Sequence, residues 1–502
     1  MEADLSREVP DNQWFGHPRG LSTLFFTEMW ERFSYYGMRG ILILFMAAPL
    51  AEGGLAFNDA KAAAIYGLYT SMVYLLALPG GWVADKMWGQ RQAVFVGGCI
   101  IAAGHLTMAL PILGLPEQAF FFLGLVLIVI GTGLLKPNVS TVVGELYPEG
   151  GARRDAGFSV FYMGINLGAF CGPILVGYLG ENINWHLGFS AAGIGMIFGL
   201  IQYKMGDKYL GEAGLLSTGE AAEVITQRSR KFYFTFAGIA ALVAAFVFMG
   251  VTGVFTVTLT QVATGIGYGI IVLAILYFVY LLVLGGHNTE EKKRLLVIFW
   301  IFILAAIFWS GFEQAGSSLN LFAERLTDRV VLGWEAPASW LQSVNALFII
   351  IGAPLFGVLW TGLASRKANP SIPIKFSLGL LGLAAGFFVL AWGAANATTE
   401  NPVSPAWLVV TYFFHTVGEL CLSPVGLSSI TKLAPAGRVG QMMGVWFIAT
   451  ALGNLFAGLV AGQLETLAPS SLFGTVAMII GIAGIIALVV SPGIRKLMGG
   501  VK

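Results

Sequence analysis

The chain has 502 residues, of which 57% are apolar and only 11% charged, with a formal net charge of +1. Soluble domains carry about 25% charged residues, so this composition is built for lipid. The near-neutral balance gives no basic field for nucleic acid. Length is therefore better counted in spans of about 20 residues than in soluble domains. Residues 1–20 are polar and hold no apolar core, so no cleavable signal peptide is expected and the first apolar segment inserts as a permanent helix. Cys99, Cys171 and Cys421 each fall within an apolar segment without a CxxC pattern or a histidine at ligand spacing, and read as small buried apolar residues. The five histidines are scattered, so neither a metal nor a cofactor is expected.

Fourteen apolar segments follow one another along the chain. The first six are 21–48, 61–83, 92–112, 119–141, 155–179 and 186–205. A pair at 232–251 and 262–284 carries no acid or base, and reads as peripheral and lipid-facing. The last six are 295–322, 338–364, 371–394, 404–431, 439–462 and 470–494. The runs are long and continuously apolar rather than alternating, which predicts helices and not barrel strands. With the N-terminus placed in the cytoplasm, 22 of the 28 Lys and Arg residues fall on inside segments. Only Lys61, Arg325 and Arg329 fall outside, and Arg32, Arg39 and Lys136 lie within spans. That asymmetry predicts both termini inside and an even number of spans.

The two ends of the chain resemble each other. Gly131-Thr-Gly-Leu-Leu-Lys136-Pro137 lines up with Gly418-Glu419-Leu-Cys-Leu-Ser423-Pro424, each followed by a basic loop. In the next span small residues recur every four positions, at Gly164, Gly168 and Gly172 and again at Thr450, Asn454, Gly458 and Gly462, a spacing that permits close helix packing. Two related six-helix halves are the simplest explanation, a pattern common in secondary transporters. The expected organisation is a cytoplasmic tail (1–20), an N-terminal six-helix bundle (21–210), a linker with two extra spans (211–290), a C-terminal six-helix bundle (291–495) and a cytoplasmic tail (496–502).

The ionisable residues inside the spans are few: Glu28, Glu31, Arg32, Arg39, Lys136, Glu313 and Glu419. Each costs roughly 2.5–3.5 kcal/mol near the bilayer centre on insertion scales, and such groups mark substrate or ion pathways more often than lipid-facing surface. At about 100° per residue, positions 28, 31, 32, 35, 36 and 39 fall largely on one helix face, which must look into a polar interior. Salt bridges that merely lock helices together are the plainer reading. Three positive and four negative charges at one depth also suit capture of a zwitterion. Arg39 and Lys136 would hold a carboxylate, Glu419 an ammonium group, and Asn166 and Asn345 would add hydrogen bonds. Glu28, Glu31 and Glu313 qualify by position as proton carriers. Tyr35, Tyr36, Tyr74, Tyr162, Trp309 and Trp446 accompany them, with packing or interfacial anchoring as the alternative for any one.

Glu28-x-x-Glu31-Arg32-Phe-x-Tyr35-Tyr36-Gly37 resembles the first-helix signature of the proton-dependent oligopeptide transporters, a family of the major facilitator superfamily. Phe161-Tyr162-x-x-Ile165-Asn166-x-Gly168 is similar to that family's fifth-helix motif. Gly81-x-x-x-Asp85-Lys86-x-x-Gly89-Gln-Arg91 resembles the superfamily's loop between the second and third helices. The resemblance covers nearly the whole chain, including the extra helix pair of bacterial members. It implies an all-α membrane protein with fourteen transmembrane helices, a monomer set in the lipid of a bacterial inner membrane. Its partners would be protons and the di- and tripeptides it imports by alternating access. By motif position, Arg39 and Lys136 would sit near the peptide carboxylate, and Glu419, Asn345 and Asn166 near its amino end. Tyr36, Tyr74, Trp309 and Trp446 would shape side-chain pockets, with Tyr162 and Ser423 also among the peptide-binding groups. Glu28, Glu31, Arg32 and Glu313 would couple protons. Many bacterial members have two adjacent acids in the seventh helix where this chain has Phe312-Glu313, so one carboxylate must serve either Lys136 or Arg39. A symporter of another small anion or metabolite is the alternative within this class, though such a carrier would have little use for Glu419. Neither a nucleophile with its base nor a P-loop supports an enzyme.

Overall fold

The computed structural model describes residues 13–500 apart from 255 and 436. Arg7 and Lys502, both counted toward the cytoplasmic side, and most of the N-terminal tail lie outside the described residues. Helix dominates, as it must where lipid offers the backbone no hydrogen-bond partner.

The first half begins with α1 (Gly20–Ala47). A short α2 (Asp59–Leu75) continues into α3 (Ala77–Val83) and a π turn. Then come α4 (Gln90–Ala109), α5 (Glu117–Glu145), α6 (Gly151–Asn182) and α7 (Trp185–Gly206). The inserted pair is α8 (Ala222–Val251) and α9 (Leu259–Val283). The second half runs from α10 (Thr289–Phe312) through a 3-10 turn into α11 (Ser318–Leu326). It ends with α12 (Ser343–Ser365), α13 (Ile372–Ala394), α14 (Ala406–Leu433), α15 (Val439–Ala461) and α16 (Pro469–Leu497). Thirteen of the resulting spans are long and apolar enough to cross a membrane, counting α2 with α3 and α10 with α11 as single spans. The remaining span, α1, is 28 residues long and fails the apolar criterion through its own charges.

Two spans expected to be continuous are broken. Pro79 and the adjacent Gly80-Gly81 interrupt the second, because proline removes an i→i−4 bond and glycine is a poor helix former. The Gly80 position also lies against the α5 backbone at Gly133, leaving no room for a Cβ. The other break follows Phe312, where Glu313–Gly316 forms a 3-10 turn before the chain resumes as α11. Discontinuous helices of this kind expose backbone and side-chain polar groups at membrane depth only where they line a cavity.

Within the first half α1 packs on α6 and α7, and α4 packs on α5 and α7. The second half repeats this, with α10 on α15 and α16 and α13 on α14 and α16. The halves meet along α2 against α15 and α6 against α12. Glycines make these approaches possible: a Cβ on Gly458 would stand 2.5 Å from the Ala63 carbonyl oxygen and 2.6 Å from the Gly67 Cα. The expectation for the inserted pair holds for α8 and needs correcting for one face of α9. α8 is exposed throughout most of its length and touches the rest mainly at the π turn, whereas α9 buries Ala263, Gly267, Ile270, Ala274, Phe278 and Leu281 against α2, α10 and α15. The cysteine expectation also holds only for Cys421; Cys99 and Cys171 are exposed.

Candidate functional site

A cavity of about 990 Å³ lies between the halves, lined from α1, α2, α5 and α6 on one side and α10, α12, α14 and α15 on the other. It runs from Glu313 and Gln342 at its closed end to the facing ends of α5 and α6 and the turn between them, where Thr141, Pro148 and Arg154 are exposed. Of the sixteen residues singled out from sequence, fourteen line it: Glu28, Arg32, Tyr36, Arg39, Tyr74, Lys136, Tyr162, Asn166, Trp309, Glu313, Asn345, Glu419, Ser423 and Trp446. Tyr35 and Glu31 do not, both being buried. Glu31 is the more telling of the two. It is fully buried behind Arg32, whose Nε lies 2.5 Å from a Glu31 carboxylate oxygen and 2.8 Å from Glu28 Oε1. One guanidinium thus serves two carboxylates on adjacent turns of α1. Loss of Arg32 would leave two buried carboxylates uncompensated.

The competition between Arg39 and Lys136 for one carboxylate is decided geometrically. Arg39 Nη2 lies 2.7 Å from Glu313 Oε2, so the pair joins α1 to the break after α10 and spans the two halves. The other face of Arg39 is held by the Tyr66 hydroxyl, which accepts from Nε, and its guanidinium also lies 5.6 Å from the Tyr36 ring centroid. Lys136 has no ion pair among the described residues; its Nζ sits 3.6 Å from the centroid of the Tyr74 ring. A lysine over a tyrosine face keeps most of its charge available to an incoming anion. Its position follows from Pro137, which breaks the regular bonding of α5 next to it.

Across the cavity Glu419 is buried with 8% exposure, and its Oε2 has no hydrogen-bond partner among the described residues. Asn345 donates 2.8 Å to the Thr416 hydroxyl one turn away from Glu419, and Asn166 is turned back to the Tyr162 carbonyl at 2.9 Å. The Trp309 indole N–H is likewise without a partner. A lysine, a carboxyl group and unsatisfied polar groups therefore face one cavity.

Sequence reasoning missed Tyr66, whose signal is its place eight residues before Tyr74 on the same helix. It also missed the mouth, formed by Glu145, Tyr147 and Arg154. There Tyr147 OH pairs with His17 Nδ1 at 2.9 Å, and burial pushes its phenol up to about 12, so it stays neutral at physiological pH.

Fourteen spans in two similar halves around a charged central cavity define a secondary transporter of the major facilitator type. A protein-family model described as the POT family matches residues 91–479, and the chain belongs to that family. It is 43% identical over 501 residues to "Peptide transporter YePEPT" of Yersinia enterocolitica, covering 97% of each chain. It is 36% identical over 500 residues to the "Di-/tripeptide transporter" of Lactococcus lactis subsp. cremoris, covering 98% of this chain and 99% of the relative. Among solved structures, the peptide transporter POT in complex with sulfate superposes with a TM-score of 0.89 at 40% identity, covering 98% of both chains.

Proposed function

We propose that the protein is a proton-coupled symporter that imports di- and tripeptides across a bacterial inner membrane by alternating access. The observation that carries this reading is the opposition of Lys136 and Glu419, neither in an ion pair among the described residues, across one cavity between the halves. A peptide's carboxylate meets Lys136 and its ammonium group meets Glu419, each as a charge-assisted hydrogen bond. Asn345 and Asn166 add polar contacts at the amino end, while Tyr36, Tyr74, Trp309 and Trp446 surround the side chains. A cavity of about 990 Å³ holds two or three residues with water.

Residues 21–210 and 291–495 move as two bundles, and 211–290 rides with them as a linker. With the termini in the cytoplasm the present cavity opens inward. Arg39–Glu313 then closes the outer side, since it ties the halves together above the cavity. A proton on Glu313 removes its charge and frees Arg39, coupling protonation to separation of the halves. Glu28, Glu31 and Arg32 form a second titratable cluster on the same helix as Arg39, so both clusters act on α1.

The test is uptake of labelled dialanine into proteoliposomes under an imposed inward proton gradient. The expected result is accumulation above the uncoupled control, competed by unlabelled peptides. No accumulation, or uptake indifferent to other peptides, would sink the reading.

A further inference from the structure

At the end of the molecule opposite the cavity mouth, the halves are joined by the same device used twice. Glu181, in the last turn of α6, accepts from the backbone N–H of Ala338 at 2.6 Å and of Ser339 at 3.1 Å. It also accepts from the Ser339 hydroxyl at 2.5 Å. These N–H groups open the five-residue 3-10 turn Ala338–Gln342, which runs directly into α12 of the other half. Both residues are fully buried, and Pro337 before them makes no side-chain cap bond. Glu465 closes the turn that ends α15 and reaches in the opposite direction. It accepts from the Ala60 N–H at 3.2 Å and from Asn58 Nδ2 at 3.1 Å, at the start of α2.

α6 and α15 are the fifth spans of their halves, and α2 and the 338–365 stretch begin the second spans. The two contacts are therefore exchanged by the internal repeat. In each, the fifth span of one half supplies a carboxylate to the N-terminal turn of the second span of the other, although α2 also has its own cap, the Asn58 side chain accepting from the Lys61 N–H. Helix N-termini present N–H groups without intrahelical partners and a partial positive charge, so an ionised carboxylate is a matched acceptor. Glu181 also faces a second cavity of about 610 Å³, walled by Glu52, Glu324, Arg325, Arg329 and Glu335. When the contact separates, the carboxylate therefore turns toward polar surroundings instead of being stranded in lipid.

We propose that Glu181 and Glu465 are paired gating residues, two repeat-related carboxylate–helix latches that hold the outer end shut while the substrate cavity is open inward. This rests on the alternating-access reading above but not on the identity of the cargo. The latches give way together when the outer end opens, because each spans both bundles.

The test measures the distance between spin labels at Leu113 and Thr399, exposed outer-loop positions of the two halves. Full-length protein in lipid nanodiscs is used, with Cys99, Cys171 and Cys421 replaced by serine. Glu181→Gln and Glu465→Gln keep the side-chain shape but remove the charge. Each is expected to raise the long-distance population several-fold, and the double variant on the order of tenfold, as loss of hydrogen bonds to a charged group implies. Glu335→Gln, on the wall of the second cavity but making no contact with a helix N-terminus, leaves the distribution at the parent's. Parent-like distributions in both single variants and the double, or equal opening in Glu335→Gln, overturn the proposal. Ser339→Ala removes one donor to Glu181 and must shift the population the same way by a smaller factor; no shift overturns the Glu181 latch even if Glu181→Gln does not fold. No peptide is present, so a parent protein that fails to accumulate dialanine would refute the transport reading and leave this result standing.

Discussion

Glu419 and Glu31 are both buried carboxylates in different surroundings. Glu419 faces the cavity with one oxygen lacking a hydrogen-bond partner among the described residues, while Glu31 lies behind Arg32 with no cavity surface. Glu419→Gln is expected to weaken dialanine roughly 10- to 100-fold, the worth of a hydrogen bond to a charged group. N-acetylated dialanine, which has no ammonium group, should be hardly affected; competition against labelled dialanine reads the difference, and equal loss for both peptides contradicts the assignment. Glu31→Gln is expected to abolish proton-driven accumulation while peptide counterflow persists. If that variant still concentrates peptide normally, its coupling role is wrong. These side chains were all visible in the sequence, because ionised groups in an apolar helix stand out. The partner of each was not. Nothing local says that Glu313 goes to Arg39 and leaves Lys136 to a tyrosine face, or that Tyr66 completes the Arg39 site.

At the scale of helices, glycine contacts set how closely the spans approach. Gly97 and Gly131 face each other between α4 and α5, and a Cβ on either would stand 2.6 Å from the other's carbonyl oxygen. Backbone cannot yield as a flexible side chain can, so Gly131→Val is expected to cost about 1–3 kcal/mol or more. The readout is a lowered thermal unfolding midpoint in detergent, with an unchanged midpoint as the contrary outcome. The inserted pair gives a contrast between its members. Phe278→Ala empties a buried position on α9 and should lower the midpoint by the equivalent of about 3–5 kcal/mol. Leu242→Ala on α8, exposed at 72%, should leave it within about 0.5 kcal/mol. The existence and order of the spans were legible from apolar run length alone. The break after Phe312 was not, because the residues around it remain apolar enough to read as one helix and only its packing beside Arg39 and Tyr66 shows why the turn is needed.

For the molecule as a whole, the orientation read from Lys and Arg makes a prediction independent of transport. In intact cells of a cysteine-free variant, Leu113→Cys should react with a membrane-impermeant maleimide and Gly150→Cys should not, until the membrane is permeabilised. The reverse pattern would invert the cavity's direction. The sequence by itself determined the lipid solvent, the fourteen spans, the internal repeat and the set of buried charges, because hydrophobic run length and charge cost act within a segment. Only the tertiary structure decided that Arg39 takes the single carboxylate and that Glu31 stands behind the cavity. It alone also showed that α9 packs while α8 does not, and that Glu181 and Glu465 each reach the N-terminal turn of a span in the opposite half. Those outcomes depend on which helices from the two halves meet, and the pairing energies involved reside in neither segment alone.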